Sequence, residues 1–261
     1  MQKESGSGPR QRVGLWYSVD GKPFSGSEPF FFDPADHPWV AEVESQWEVI
    51  RDELSEFIRT NDHRLEPYIE ADMVSRPKKW RTIGLRFWGR EASENAALFP
   101  ETRRLVSCIP GLSAISFNLL EANSTIKPHQ GDTNAIMRCH LGLIVPASAP
   151  RCGFRVGKEV RSWEEGRFFL FCDAHEHTAW NNTDESRYVM VVDVFRSEFR
   201  ARMRQVCDRV LASIHLSVLL QRVPILRRIA GGTLGRRMLL WILTVSNRFT
   251  PIVASHSREN Q

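Results

Sequence analysis

From Thr82 to Arg196 the chain is cut into short β-prone runs, and this cutting constrains the fold more than any other feature. The runs are TIGLRFWG, SAISFNLLE, MRCHLGLIVP, CGFRVG, VRSWEEG, RFFLFCD and YVMVVDVFR. Turn signals separate them: Pro110-Gly111, Gly157, Glu164-Glu165 before Gly166, and the polar stretch NNTDES. About seven short strands at this spacing point to an antiparallel sandwich or barrel, and a jelly roll closes such a set most economically. The expected class is therefore mainly β with flanking helices.

The flanks read differently. Between Pro38 and Arg59, Val40, Val43, Trp47, Ile50, Leu54, Phe57 and Ile58 recur mostly at spacings of three and four. That is one amphipathic helix, entered by a proline where the first turn tolerates it. A second, short helix is expected from Pro100 to Cys108. Residues 1–28 are rich in Gly, Ser and charge and read as a flexible N-terminal arm with Trp16 and Tyr17 docked. Residues 29–208 form the main domain. Residues 209–261 form a basic, apolar helical segment with the runs VLASIHLSVLL, RVPILRRIAGG and RRMLLWILTV. Each run falls short of the roughly 18–20 residues that span a bilayer. From Arg209 to Arg258 there are eight Arg, no Lys and no acid, against a net charge of +4 for the whole chain. Two readings stay open for this segment: interfacial helices on an anionic membrane, and helices packed on the barrel.

Several functional classes drop out. Five widely spaced cysteines without a CxxC support neither a disulfide framework nor a zinc ribbon, and fit a reducing cytosol. The polar opening MQKESGSGPRQR carries no secretory signal, and residue 2 is not glycine. Phosphate-loop, dinucleotide, serine-hydrolase and zincin signatures are absent. No nucleic-acid partner is expected, and the expected location is cytoplasmic, with peripheral contact at the inner face of the membrane.

The residues that carry chemistry lie between Pro128 and Arg196. His129 sits at the mouth of a strand region, His177 follows the run RFFLFCD, and Arg187 opens the run YVMVVDV. Two imidazoles on facing strands of a jelly roll make an Fe(II) site. An arginine one strand further in can grip a carboxylate through two parallel hydrogen bonds. Arg138 and His140 alternate on MRCHLGL and so share one face, where they can hold a second carboxylate. The reaction this suggests is oxidative decarboxylation of 2-oxoglutarate, with dioxygen, coupled to hydroxylation. Each residue has a plainer alternative. Arg187 could be an ion-pair partner of Asp173, and Arg138 with His140 a solvated strand face. His175 and Asp132 are rival ligands, and Trp163 and Trp180 read as core or loop anchors.

Taken together, HxGxTN…RxHLGLxxP, the later WxxG, FxD…EHxxWN and the arginine ten residues on resemble the aspartyl/asparaginyl β-hydroxylase family. The resemblance is close over about Ser116 to Arg196 and looser over the helix from Pro38. It implies a double-stranded β-helix, the jelly-roll, cupin-like fold of Fe(II)/2-oxoglutarate dioxygenases. It implies His129 and His177 as iron ligands, Arg187 on the distal carboxylate of 2-oxoglutarate, Arg138 and His140 against the co-substrate, and a contact from Asn118. Most such dioxygenases add a carboxylate two residues after the first His. Here that residue is Gly131, a lack the family shares, so two histidines and water are expected. Iron halogenases share it too, but the surrounding motif is that of a hydroxylase.

The resemblance implies β-hydroxylation of an Asp or Asn side chain in a protein or peptide. The alternative is hydroxylation of a fatty acyl chain of a membrane lipid of the lipid A or ornithine-lipid type, which the Arg-rich apolar tail favours. A non-catalytic jelly-roll binding protein is the third reading; it would be expected to have lost one of the two histidines or the arginine.

Overall fold

A computed structural model describes residues 14–223, 226 and 232–250. Its strands are β1 (Phe31–Phe32), β2 (Glu66–Pro67), β3 (Trp80–Phe87), β4 (Arg90–Glu91), β5 (Leu112–Leu120), β6 (Ser124–His129), β7 (Ile136–Ile144), β8 (Cys152–Val156), β9 (Glu159–Arg161), β10 (Phe168–Cys172), β11 (His177–Asn181) and β12 (Arg187–Phe195). They form two antiparallel sheets. The larger runs β1-β10-β7-β12-β5-β3-β2 with β4 on β3; the smaller runs β6-β11-β8-β9. This is the jelly roll, and its helices are α1 (Pro38–Glu44), α2 (Trp47–Asn61), α3 (Ser93–Ala96), α4 (Pro100–Val106), α5 (Met203–Arg222) and α6 (Thr233–Asn247).

The large sheet is covered on both faces, which its near-continuous apolar strands require. Its outward residues, among them Ile115, Phe117, Leu141, Met190 and Val192, pack with Val43, Ile50, Leu54 and Phe57 of α1 and α2. Its inward residues Val189, Phe169 and Phe171 pack with Ile126, Phe154, Val156 and Ala179 of the small sheet. Strand periodicity then places Asn118, Arg138, His140 and Arg187 on the inward face, between the sheets.

Four expectations need correction. The helix from Pro38 is broken at Ser45-Gln46, where Gln46 takes φ −126° and leaves the helical region. The run VRSWEEG contributes only its first residues to a strand, and Trp163 lies in the loop after β9. The described part of the N-terminal arm is held by more than the expected docking of Trp16 and Tyr17. Tyr17 is buried, and the Trp16 amide donates to Asn134 Oδ1 at 2.8 Å. The buried Glu28 carboxylate takes Arg196 Nη1 at 2.8 Å and Asn134 Nδ2 at 2.8 Å. Residues 1–13 lie outside the described residues. The boundary at 208 falls inside a helix: α5 starts at Met203 and packs Val206, Cys207, Val210 and Leu211 against Phe195, Phe199 and Tyr17. Most of RVPILRRIAGG lies outside the described residues.

Candidate active site

His129 ends β6 and His177 begins β11, and the two are register partners in the small sheet. They sit on neighbouring strands of one sheet, not on facing strands. Their ring centroids are 4.1 Å apart. Each Nδ1 donates to the carbonyl two residues earlier, His129 to Lys127 O at 2.8 Å and His177 to His175 O at 2.8 Å. With Nδ1 tied to a carbonyl, the proton is on Nδ1 and the Nε2 lone pair is free. Burial holds both imidazoles below their ordinary pKa, and His129 adds to the effect on His177. Both are neutral near pH 7, as a metal ligand must be.

Beside them lies a carboxylate from the end of β10. Asp173 Oδ1 is 3.7 Å from His177 Nε2, and it accepts from Arg138 Nη1 at 2.7 Å. Asp173 Oδ2 is buried and has no partner. A Cβ at position 131 would lie 1.7 Å from that oxygen. The missing side chain at Gly131 is therefore what leaves room for Asp173. Burial raises the pKa of the Asp173 carboxyl. Among the described residues no three His, Cys, Asp or Glu side chains converge as a metal-binding group. The donor set is two neutral imidazoles with an adjacent unsatisfied oxygen. That set fits an iron that keeps positions open for other ligands.

Two of the arginines that line the cavity, Arg187 and Arg138, are in opposite states. Arg187 is 1% exposed and has no carboxylate within ion-pair distance among the described residues. Its Nε has no partner, and its guanidinium lies 4.4 Å from the Trp163 ring centroid. Burial lowers its pKa to about 10. Arg138 instead donates to both oxygens of Asp193, at 2.7 and 2.9 Å, as well as to Asp173. The expected ion pair of Asp173 is thus made by Arg138 and not by Arg187.

His140 accepts from Trp163 Nε1 at 3.3 Å. Burial, and next the charge of Arg187, hold it well below its ordinary pKa. Asn118 takes Trp80 Nε1 at 3.1 Å, and Trp80 stacks on Tyr68 at 3.7 Å. His175 points elsewhere: its Nε2 meets Glu28 O at 2.8 Å, between Phe24 and Phe30. Trp180 is a loop anchor, donating to Pro150 O at 2.8 Å.

All six expected site residues, and Asp132, line one cavity of about 320 Å³. Away from the histidines the cavity runs over Gly84, Ala114 and Ser116 to Arg86, Phe87 and Ile214. A Cβ at Gly84 would meet nothing within 4 Å, so this part is an open trough. The sequence reading missed Asp173 and Asp193 as partners of Arg138, and Trp163 as the seat of Arg187. Only Asp173 left a trace in the sequence, an acid closing the apolar run RFFLFCD near His177.

A family profile described as aspartyl/asparaginyl β-hydroxylase matches residues 44–197, more than half of the chain. Ornithine lipid ester-linked acyl 2-hydroxylase of Rhizobium tropici is 36% identical over 168 residues, 63% of this chain and 60% of that protein. Aspartyl/asparaginyl β-hydroxylase of Homo sapiens is 28% identical over 172 residues, 64% of this chain and 22% of that protein. Aspartate β-hydroxylase domain-containing protein 2 of Mus musculus is 34% identical over 145 residues, 51% of this chain and 41% of that protein. The chain thus spans less than two thirds of each of these relatives.

Proposed function

The chain belongs to the aspartyl/asparaginyl β-hydroxylase family, and from that premise we propose that it is an Fe(II)- and 2-oxoglutarate-dependent hydroxylase. The observation that carries this is the pairing, in one cavity, of two imidazoles with free Nε2 atoms and a buried guanidinium with no acid. Iron, when bound, supplies with dioxygen the oxidation that decarboxylates 2-oxoglutarate to succinate and inserts one oxygen atom into a substrate C–H bond. His129 and His177 would hold it through Nε2. Arg187 would grip the distal carboxylate of 2-oxoglutarate, which ends its uncompensated burial. Trp163 seats the guanidinium, and His140 and Asn118 would line the co-substrate. Asp173, with one unsatisfied oxygen, would accept a hydrogen bond from a water beside the metal.

The family reading of the substrate is an Asp or Asn side chain of a protein or peptide. A second reading, an acyl chain of a membrane lipid, is favoured by the charges. Once Arg187 holds the co-substrate, the next cation beside the histidines is Arg138, and two carboxylates already neutralise it. Arg86, at the end of the trough, is likewise paired, with Glu91 at 3.6 Å. An acidic side chain would have to displace one of these carboxylates, whereas an apolar chain needs only the trough over Gly84. A lipid substrate also implies work at the surface of an anionic membrane through 209–258. No helix among the described residues is long and apolar enough to cross one.

The test is turnover of the iron-loaded protein with 2-oxoglutarate, offered either an Asp-containing peptide or acyl-lipid vesicles. Succinate release and a gain of one oxygen atom by mass spectrometry are the readouts. Wild type is expected to oxidise one of the two substrates. His129→Ala and His177→Ala should drop to background while keeping the wild-type circular dichroism. Near-normal succinate release by either variant would remove that histidine from the metal site.

A further inference from the structure

We propose that the outward face of α6 is a contact surface for an anionic lipid bilayer. Leu234, Met238, Trp241 and Ile242 stand at i, i+4, i+7 and i+8 of this helix, so they share one face. All four are exposed, Leu234 by 82% and Trp241 by 66%. Phe249, in the turn that follows, is 86% exposed. Large apolar side chains left together in water mark a surface that meets something apolar.

The orientation of this face is fixed from behind. The α6 helix packs along α5, and Asn247 near its end is buried. Asn247 Nδ2 donates to Asp208 O at 3.0 Å, and its Oδ1 takes Arg90 Nη2 at 2.9 Å. Arg204 Nη2 donates to Asn247 O at 3.0 Å. These bonds tie the polar side of α6 to α5 and to β4, which leaves the stripe pointing away from the body.

Charge identifies the occupant. Arg237 and Arg248, which flank the stripe at helical spacing, are exposed, and among the described residues neither has an acidic partner. The fifty residues from Arg209 to Arg258 contain eight Arg and no acid. A protein partner would need its own acidic and apolar patch of matching shape. A bilayer with anionic headgroups offers both properties without one, and a Trp-bearing helix lying in its interface is a known mode of attachment. Ile214 of α5 lines the far end of the active-site cavity. A bilayer held by α6 would therefore lie one helix away from the trough, although the contact itself does not require a lipid substrate.

The experiment is co-sedimentation of the full chain with phosphatidylglycerol/phosphatidylcholine vesicles, and with pure phosphatidylcholine, at low and high salt. Wild type is expected to bind the anionic vesicles, and several-fold more weakly at high salt. A Met238→Ser/Trp241→Ser/Ile242→Ser variant should bind about tenfold or more weakly with unchanged circular dichroism. An Arg237→Gln/Arg248→Gln variant should keep its fold and lose mainly the salt-sensitive part. Binding by the stripe variant equal to wild type would overturn the proposal. So would failure of wild type to bind anionic vesicles, or a stripe variant that no longer folds, since the stripe would then be part of the packing. A wild-type dimer that the stripe variant turns into a monomer, without vesicle binding, would assign the face to a second copy instead.

Discussion

Arg187 and Arg138 are two strand arginines lining one cavity, and they are held in opposite ways. Arg138 is clamped by Asp173 and Asp193; Arg187 is more deeply buried, lies over the face of Trp163 and has no acidic partner among the described residues. A guanidinium taken out of water without an anion is destabilising, which is the cost that the proposed co-substrate carboxylate would offset. A guanidinium shared by two buried carboxylates is a structural clamp whose charge is spent inside the protein. On the proposed reading, the difference would separate an end of the cavity that can receive an anionic co-substrate from an end where the cation is already neutralised.

The largest effects should come from removing each charge in turn, because the two variants should fail in different assays. Arg187→Met is expected to raise the KM for 2-oxoglutarate about a hundredfold, the equivalent of ~3 kcal/mol of charge-assisted hydrogen bonding. Its stability in the absence of co-substrate should be equal to wild type or higher, since a buried charge is gone. Arg187→Lys should also be impaired, because an ammonium cannot present the two-pronged fork. Arg138→Met should do the reverse. It strands Asp173 and Asp193 in the interior and should cost about 3–5 kcal/mol in urea unfolding. If both variants lost the same stability and the same affinity, the two arginines would be doing one job and the contrast would collapse.

A smaller effect probes how Asp173 comes to stand where it does. Gly131→Ala puts a methyl 1.7 Å from Asp173 Oδ2, so the carboxylate must move and its bond to Arg138 must bend. We expect a loss of about 1–3 kcal/mol of stability, the usual range for overpacking, with reduced succinate release. Gly131→Asp should be worse on both counts, since it adds a second buried carboxyl beside the first. A more active Gly131→Asp protein would mean that the position is an emptied ligand site, not space reserved for Asp173.

Much of this was legible in the sequence, and the rest was hidden for physical reasons. The large sheet announced itself because its strands are buried on both faces, so that a run such as FFLFC is apolar throughout. The alternation on MRCHLGLI correctly put Arg138 and His140 on one face. The small sheet was harder to read. Its strands β6 and β11, STIKPH and HTAWN, turn Thr125, Lys127 and Thr178 to the outer face and leave only Ile126 and Ala179 beside the histidines on the cavity face, too few apolar residues to register as β-prone. Yet these two strands carry both histidines and make them neighbours. The N-terminal segment looked loose because its composition is polar. It docks through the specific partners Glu28, Asn134 and Arg196, and no periodicity encodes such bonds. The ion-pair partner of Asp173 is set by strand register, which local sequence does not reveal.

The smallest expected effect is the one that asks whether Trp163 compensates Arg187. The indole does two things: its face lies under the guanidinium at 4.4 Å, and its Nε1 donates to His140 Nδ1 at 3.3 Å. Trp163→Phe keeps an aromatic face of weaker quadrupole and removes the donor. A desolvated cation–π contact is worth up to about 2 kcal/mol, and the exchange to Phe forfeits only part of it. We therefore expect a rise of about three- to tenfold in the KM for 2-oxoglutarate, with kcat little changed. Trp163→Leu removes the face altogether and should raise it further, while both variants also lose core packing around Phe154 and Phe169. Stability and co-substrate affinity must be read separately for this reason. If both variants lose stability in proportion to the volume removed but bind 2-oxoglutarate as wild type does, Trp163 is a core residue only. Arg187 would then be buried with nothing to offset its charge until an anion arrives, which would make its contrast with Arg138 sharper still.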